Sequence, residues 1–169
     1  QLVTLASPDE ESGYYGGAVP FDHSLEKEAL SAAERAVEAV SGLKGYVGVD
    51  IILADEEPVV LEVNPRLTTS YVGLRRVVNF NPAEAIVDAV IRRKLPRNVR
   101  SSGYAFFSKV AVPPRRQIIA ETYKLKDVIS PPFPIEGNRS AYALIATVST
   151  SPKGAESAFH RTKKRLLNL

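Results

Sequence analysis

The chain has 169 residues, with 22 basic and 19 acidic side chains, a net charge of +3, 44% hydrophobic residues and 24% charged. This is an ordinary globular composition, long enough for one domain with a real core or for two small lobes. It contains no cysteine, which excludes disulfides, thiolate metal sites and a cysteine nucleophile. No apolar run approaches the roughly 18 residues of a membrane span and no secretory leader is visible, so a cytoplasmic protein without membrane contact is expected.

A pI near 9.2 suits anionic small ligands such as nucleotides as well as nucleic acid. Gln1 comes first and methionine is absent throughout. A trimmed or incomplete chain is therefore expected, in which a function needing upstream residues is only half visible.

Gln1–Leu5 reads as a short strand and Ser12–Pro20 (SGYYGGAVP) as a glycine-rich loop. A helix is predicted from Leu25 to Ser41, with Ser24 as N-cap and Glu26 and Glu28 at its positive end. Its buried stripe is Leu25, Ala29, Ala32, Ala36, Val37 and Val40, and Gly42 is a natural residue just past its end. Two apolar runs, Tyr46–Leu53 and Val59–Val63, flank Ala54-Asp55-Glu56-Glu57-Pro58 and read as a hairpin. A second helix starts at Asn81-Pro82 and runs to about Leu95, where Pro96 stops it.

Beyond Pro96 the character changes, and Arg92, Arg93, Lys94, Arg97 and Arg100 make a basic connector. Gly103–Val112, Gln117–Glu121 and Ser140–Thr150 read as strands between proline-rich turns, and Ser151-Pro152 opens a last helix reaching Leu167. The fold class is α+β, an antiparallel sheet with helices packed on it.

The chemistry sits in the hairpin. Side chains alternate along a strand, so Val60, Glu62 and Asn64 share one face and Val59, Leu61 and Val63 the other. In the preceding strand Val47, Val49, Ile51 and Leu53 form an unbroken apolar face, opposite Gly48, Asp50 and Ile52. A turn centred on Glu56 sets Asp50 directly across from Glu62. Opposed Cβ atoms lie roughly 4.5–5.5 Å apart. Two carboxylates that close repel by about 1 kcal/mol in water and about 4 kcal/mol at an effective dielectric of 20. A cation between them removes that cost. Asp50, Glu62 and Asn64 offer oxygen ligands only, which favours magnesium or manganese over zinc. Magnesium usually takes one or two protein carboxylates and fills its shell with water and phosphate oxygens, so the set suggests a metal–nucleotide site. Arg66 continues the every-second-position spacing on the same side. The plainer alternative is a solvated Glu on an edge strand that exits at Asn-Pro. A one-residue shift of register would also move Asp50 to the wrong face.

Gly45–Asp50 (GYVGVD) followed by Leu61–Arg66 (LEVNPR) resembles the C-terminal half of the ATP-grasp domain. The resemblance implies that Asp50, Glu62 and Asn64 hold the Mg²⁺ ions that bridge ATP phosphates, and that Arg66 steadies carboxylate or acyl-phosphate oxygens. LEVNPRLTTSYVGL, the Gly-Gly-Ala-Val-Pro segment and the Asn81-Pro82 helix start resemble a narrower archaeal-type subgroup containing tyramine–glutamate ligases of methanofuran synthesis. By that likeness residues 1–96 are the C-terminal lobe of the grasp, and residues 97–169 an α+β extension completing it. The family's other lobe, with its phosphate-holding lysines and adenine hinge, normally precedes this region, and nothing in Gln1–Pro20 is long enough to be it.

The implied reaction joins a carboxylate, glutamate in the subgroup, to an amine, tyramine in the subgroup, through an acyl phosphate with release of ADP. Thr68, Thr69, Ser70 and Tyr71 would form the acceptor side, binding a small polar substrate through hydroxyls. Gly16 and Gly17 could cradle phosphate or close over substrate, but lack the Lys-Ser/Thr of a P-loop. His23 reads as a helix-start residue and His160 as a surface residue. The basic connector reads as a solvated helix end, and Tyr104, Phe106 and Phe107 as strand packing. Two other readings stay open: a non-catalytic grasp-like remnant binding a nucleotide or partner, and a nucleic-acid module, against which the acidic face counts. A homo-oligomer is compatible with the sequence, which does not fix the assembly.

Overall fold

In the computed structural model the described residues are 2–4, 13–53, 57–113, 120–134 and 141–169. Contacts divide the chain into two compact units. The first comprises Gln1–Pro20, Val72–Val78 and Ser101–Leu169, and the second Phe21–Tyr71 and Asn79–Arg100.

The first unit is a five-stranded antiparallel sheet. Its strands are β1 (Leu2–Thr4), β2 (Gly13–Val19), β5 (Tyr104–Val112), β6 (Val128–Pro134) and β7 (Ala141–Ser149), in the order β1-β2-β5-β7-β6. Helix α4 (Pro152–Leu167) packs on β7 and β5. Its buried residues Ala155, Phe159, Thr162 and Leu166 follow helical spacing. Phe159 and Leu166 close a core with Val110, Val112, Leu125, Ala141, Ala143 and Ile145. Ser151 caps α4 as its sequence predicts, Oγ accepting from Gly154 N at 3.2 Å. Thr162 donates to Asp127 at 3.3 Å, and Arg76 reaches the other oxygen of that carboxylate at 3.6 Å. The aromatic residues of β5 do pack as strand residues: Phe107 is fully buried, and the Phe106 ring meets the Phe159 ring at 5.0 Å, tilted by 58°.

The expected glycine loop is a strand. Gly13–Val19 pairs with β1 on one side and β5 on the other. Gly16 and Gly17 are buried there, and their missing side chains let β5 close in. A Cβ on Gly17 would enter the Phe107 ring, and one on Gly16 would lie 2.5 Å from the Phe107 carbonyl oxygen. Strand β6 is hidden by its sequence VISPPFP, which reads as a turn. It lies at the sheet's edge, where proline is tolerated because one side needs no ladder. Of the strand expected over 117–121, residues 117–119 lie outside the described residues, and Ala120 and Glu121 are helical.

The second unit holds helix α1 (Glu26–Glu38), which lies against a two-stranded antiparallel sheet, β3 (Gly48–Leu53) and β4 (Pro58–Asn64). Residues 54–56 of the expected hairpin turn lie outside the described residues. Ser24 does not cap α1. Leu25 occupies the N-cap with no side-chain bond, and His23 serves the helix start, its Nδ1 accepting from Leu25 N at 3.2 Å. The helix stops at Glu38, so Val40 falls past its end and is exposed.

Helix α3 (Pro82–Val87) begins as expected, the Asn81 side chain accepting from Ala83 N at 3.1 Å. It continues as a π-helical turn over Asp88–Arg92 and ends at Arg93 in the left-handed conformation, short of Leu95. Arg92 of the basic connector pairs with Asp88 on the same face. Helix α2 (Ser70–Val77) departs from the sequence reading. Its sequence SYVGLRRV mixes glycine with β-branched residues, which weakens any helical signal. Among the described residues no helix is long and apolar enough to cross a membrane.

Candidate functional site

The β3–β4 ladder pairs Gly48 with Asn64, Val49 with Val63 and Asp50 with Glu62. The two acids therefore stand directly opposite each other as expected, but not through a turn centred on Glu56: the pairs nearest the turn, Leu53–Pro58 to Ile51–Val60, are centred between residues 55 and 56, and one extra residue in β4 brings Glu62 across from Asp50. Beyond them the register slips. Ile51 pairs with Val60 and Ile52 with Val59, which leaves Leu61 as the extra residue of a bulge. The bulge corrects the expected faces of β4. Val60 shares the half-buried side of Ile51, while Val59 joins Ile52, exposed at 44% and 48%, on the side of Asp50. At the acid pair itself the alternation holds. Val49, Ile51 and Leu53 are half-buried, and Asp50 and Glu62 are exposed.

Asn64 is 4% exposed, and its Nδ2 donates to Asp50 Oδ2 at 3.2 Å. That bond ties the last residue of β4 to the acid two positions along β3. Glu62 makes no ion pair among the described residues, nor does Asp50. Two opposed carboxylates without a protein cation between them are a repulsive arrangement in the metal-free chain. No group of three or more His, Cys, Asp or Glu forms a metal cage among the described residues. The donor set of two carboxylates and an amide oxygen is the kind that magnesium or manganese completes with water and phosphate oxygens. The residues fit such an ion.

The alternation does not carry as far as Arg66. The strand ends at Asn64, and Arg66 N donates back to Asn64 O at 2.8 Å around Pro65. The exposed Arg66 guanidinium donates to Leu67 O at 3.4 Å and makes no ion pair with Asp50 or Glu62 among the described residues.

The segment after Arg66 is anchored by hydroxyls. Thr68 Oγ1 and Ser70 Oγ lie 2.6 Å apart, and the Tyr46 hydroxyl is 3.2 Å from the first and 3.4 Å from the second. Tyr71 N donates to Thr68 O at 3.1 Å, and its ring meets the Tyr46 ring edge-on at 5.9 Å. Thr69 is half-buried and makes no side-chain hydrogen bond among the described residues. Gly48 makes this packing possible: a Cβ there would lie 2.5 Å from Thr68 Cγ2. Gly48 sits two residues before Asp50 and so on the same strand face, which places Thr68 on the acid side of the hairpin. Of the predicted residues, then, Asp50, Glu62, Asn64, Thr68, Ser70 and Tyr71 gather around one end of the hairpin. Gly16 and Gly17 belong to the sheet of the first unit. Sequence reasoning places Tyr46 and Gly48 in the string GYVGVD but gives neither a role at the site. The available signal is the glycine that opens the strand GVDIIL, which marks a close approach.

Residues 1–70 match the family described as ATP-grasp domain. The chain is 33% identical over 95 residues to the tyramine–L-glutamate ligase of Methanocaldococcus jannaschii, covering 56% of this chain and 30% of that protein. Over its first 70 residues the chain is similar to the ATP-grasp domain. A second relative, the tyramine–L-glutamate ligase of Methanocaldococcus fervens, is 46% identical over 66 residues, covering 39% of this chain and 22% of that protein. The chain thus spans less than a third of the length of the curated relatives it matches. Its fold is similar to that of N5-carboxyaminoimidazole ribonucleotide synthetase from Thermus thermophilus, with a TM-score of 0.58 and 20% identity, covering 90% of this chain and 42% of that one.

Proposed function

We infer that this protein is an ATP- and divalent-metal-dependent ligase that joins a carboxylate to an amine, L-glutamate to tyramine, and releases ADP and phosphate. The observation that carries the reading is the pairing of Asp50 with Glu62 across β3 and β4, with Asn64 bonded to Asp50. The names of two relatives, both tyramine–L-glutamate ligases, support the substrate pair.

In this reading Asp50, Glu62 and Asn64 would hold magnesium or manganese, which when bound would supply positive charge to offset that of the phosphates. The substrate carboxylate attacks the γ-phosphorus of ATP, forming an acyl phosphate as ADP leaves. The amine then attacks the acyl carbon, phosphate leaves, and the nitrogen loses a proton. The chain's own part is to position and to balance charge. Asn64 fixes the orientation of the Asp50 carboxylate, the exposed Arg66 guanidinium faces developing negative oxygen, and Thr68, Thr69, Ser70 and Tyr71 form the acceptor side. No side chain needs to act as a covalent nucleophile.

The test incubates the protein with ATP, Mg²⁺, tyramine and L-glutamate labelled with ¹⁸O in its carboxylates. The expected result is an amide product, ADP, and one ¹⁸O atom carried into phosphate, as an acyl phosphate requires. Amide formation without label in phosphate, or no amide at all, refutes the reading.

A further inference from the structure

We propose that Tyr46, Thr68 and Ser70 form a hydrogen-bond-accepting cluster that binds the amine substrate by its N–H groups, with Tyr46, to which the sequence motif assigns no role, as the residue that sets the cluster's polarity. This rests on the ligase reading above and adds to it which of the two substrates the hydroxyls meet.

The argument is one of donor supply. Each hydroxyl has one hydrogen to give and two lone pairs to receive. The three oxygens lie at 2.6, 3.2 and 3.4 Å from one another, each within bonding reach of the other two. A closed ring spends all three hydrogens on its three links. It leaves one lone pair on each oxygen and no donor pointing outward. Such a surface receives N–H groups. A carboxylate, which only accepts, must first break an internal bond to be held there.

Three features build the cluster. Gly48 admits the Thr68 methyl against β3, since a Cβ would lie 2.5 Å from it. Tyr71 N bonds to Thr68 O at 3.1 Å and fixes the backbone between them. The Tyr46 and Tyr71 rings, 5.9 Å apart and at 75°, give an aromatic wall beside the hydroxyls. Aromatic faces suit an arylalkyl chain and attract its cationic amine. The cluster's place follows from strand geometry. Gly48 precedes Asp50 by two residues on one face, a spacing of about 6–7 Å. An amine held at Thr68 is thus one residue pair from the acids proposed to face the phosphates. Without Tyr46, the Thr68–Ser70 pair keeps one link, and one hydrogen is released to point outward.

The experiment is titration calorimetry of the protein with tyramine and with 3-(4-hydroxyphenyl)propionate, which replaces the amine by a carboxylate on the same ring and chain. Wild type is expected to bind tyramine more tightly than the acid. Thr68→Val keeps shape and loses the hydroxyl, and should weaken tyramine about five- to tenfold. Thr68→Ser keeps the hydroxyl and should stay within about twofold. Tyr46→Phe should weaken tyramine and narrow the gap between amine and acid. Tyramine binding unchanged in Thr68→Val, an acid bound as tightly as the amine, or no tyramine binding by wild type overturns the proposal. Its failure is separable from that of the ligase reading. A protein that makes the labelled product but shows an unchanged KM for tyramine in Thr68→Val loses only this cluster. A protein that binds tyramine as described but makes no amide loses only the reaction.

Discussion

Asp50 stands directly across the β3–β4 ladder from Glu62, and the register slips by one residue immediately beyond that pair. The ladder is regular from Gly48–Asn64 to Asp50–Glu62, so the acids are held by aligned pairs on one side and a bulge on the other. Like charges so placed weaken a metal-free hairpin.

Replacing Glu62 with Gln should therefore have two effects of opposite sign. Chemical denaturation in EDTA should show the metal-free protein unchanged or more stable, by up to about 1 kcal/mol, because the repulsion is gone. Magnesium-dependent ATP turnover should fall by about 100-fold or more. A variant less stable in EDTA, with turnover intact, would mean that Glu62 serves the hairpin and not an ion.

Gly48→Ala pits chain entropy against space. Alanine in a strand normally gains about 0.5–1 kcal/mol over glycine. Here its Cβ meets Thr68 Cγ2 at 2.5 Å. Thr68 is β-branched and its hydroxyl is engaged with Ser70 and Tyr46, so it yields poorly. A net loss of about 1 kcal/mol is expected, at the low end of overpacking costs. Adding Thr68→Ser, which removes that methyl, should recover most of the loss in a thermal melt.

Gly73→Ala in α2 tests the same balance in the first unit. Helix propensity alone predicts a gain of about 1 kcal/mol. The Phe107 ring, fully buried, lies 2.5–2.6 Å from where the Cβ would be. A buried ring held by its neighbours cannot swing away, so a net cost of about 1–3 kcal/mol is expected. The loss measured by urea denaturation should shrink in the Phe107→Leu background, a non-additivity diagnostic of contact.

Ser151→Ala removes the α4 cap, whose Oγ accepts from Gly154 N. A loss of about 1 kcal/mol is expected. Ser151→Asp, which keeps an acceptor, should hold stability within a few tenths of a kcal/mol.

The parts of the fold that can be read from sequence carry their instructions locally. Ser151-Pro152 and Asn81-Pro82 each combine a capping side chain with proline at the first turn, and both helices begin there. The pairing of Asp50 with Glu62 is anticipated from a turn centred on Glu56, yet the ladder near the turn is centred between residues 55 and 56, and the extra residue Leu61 restores the pairing. The bulge at Leu61 is not legible, since one extra residue leaves no mark in an apolar run. Elements that depend on distant partners are misread. Gly13–Val19 looks like a loop because its glycines are needed only once Phe107 is packed on them. Helix α2 carries a glycine for the same ring. At the site, the role of Tyr46 is invisible in the sequence because it depends on hydroxyls 22 and 24 residues away.

Strand β6 has a consequence for how molecules meet. Three of its seven residues, Pro131, Pro132 and Pro134, lack an N–H. Successive N–H groups of a strand point to alternate sides, so of the adjacent Pro131 and Pro132 one falls on the outer rim, where a foreign strand would find a donor missing. The sheet is thereby guarded on this flank against joining the sheet of another molecule edge to edge, the route by which exposed strands seed aggregation. The same prolines that disguise β6 as a turn make it a poor template for growth.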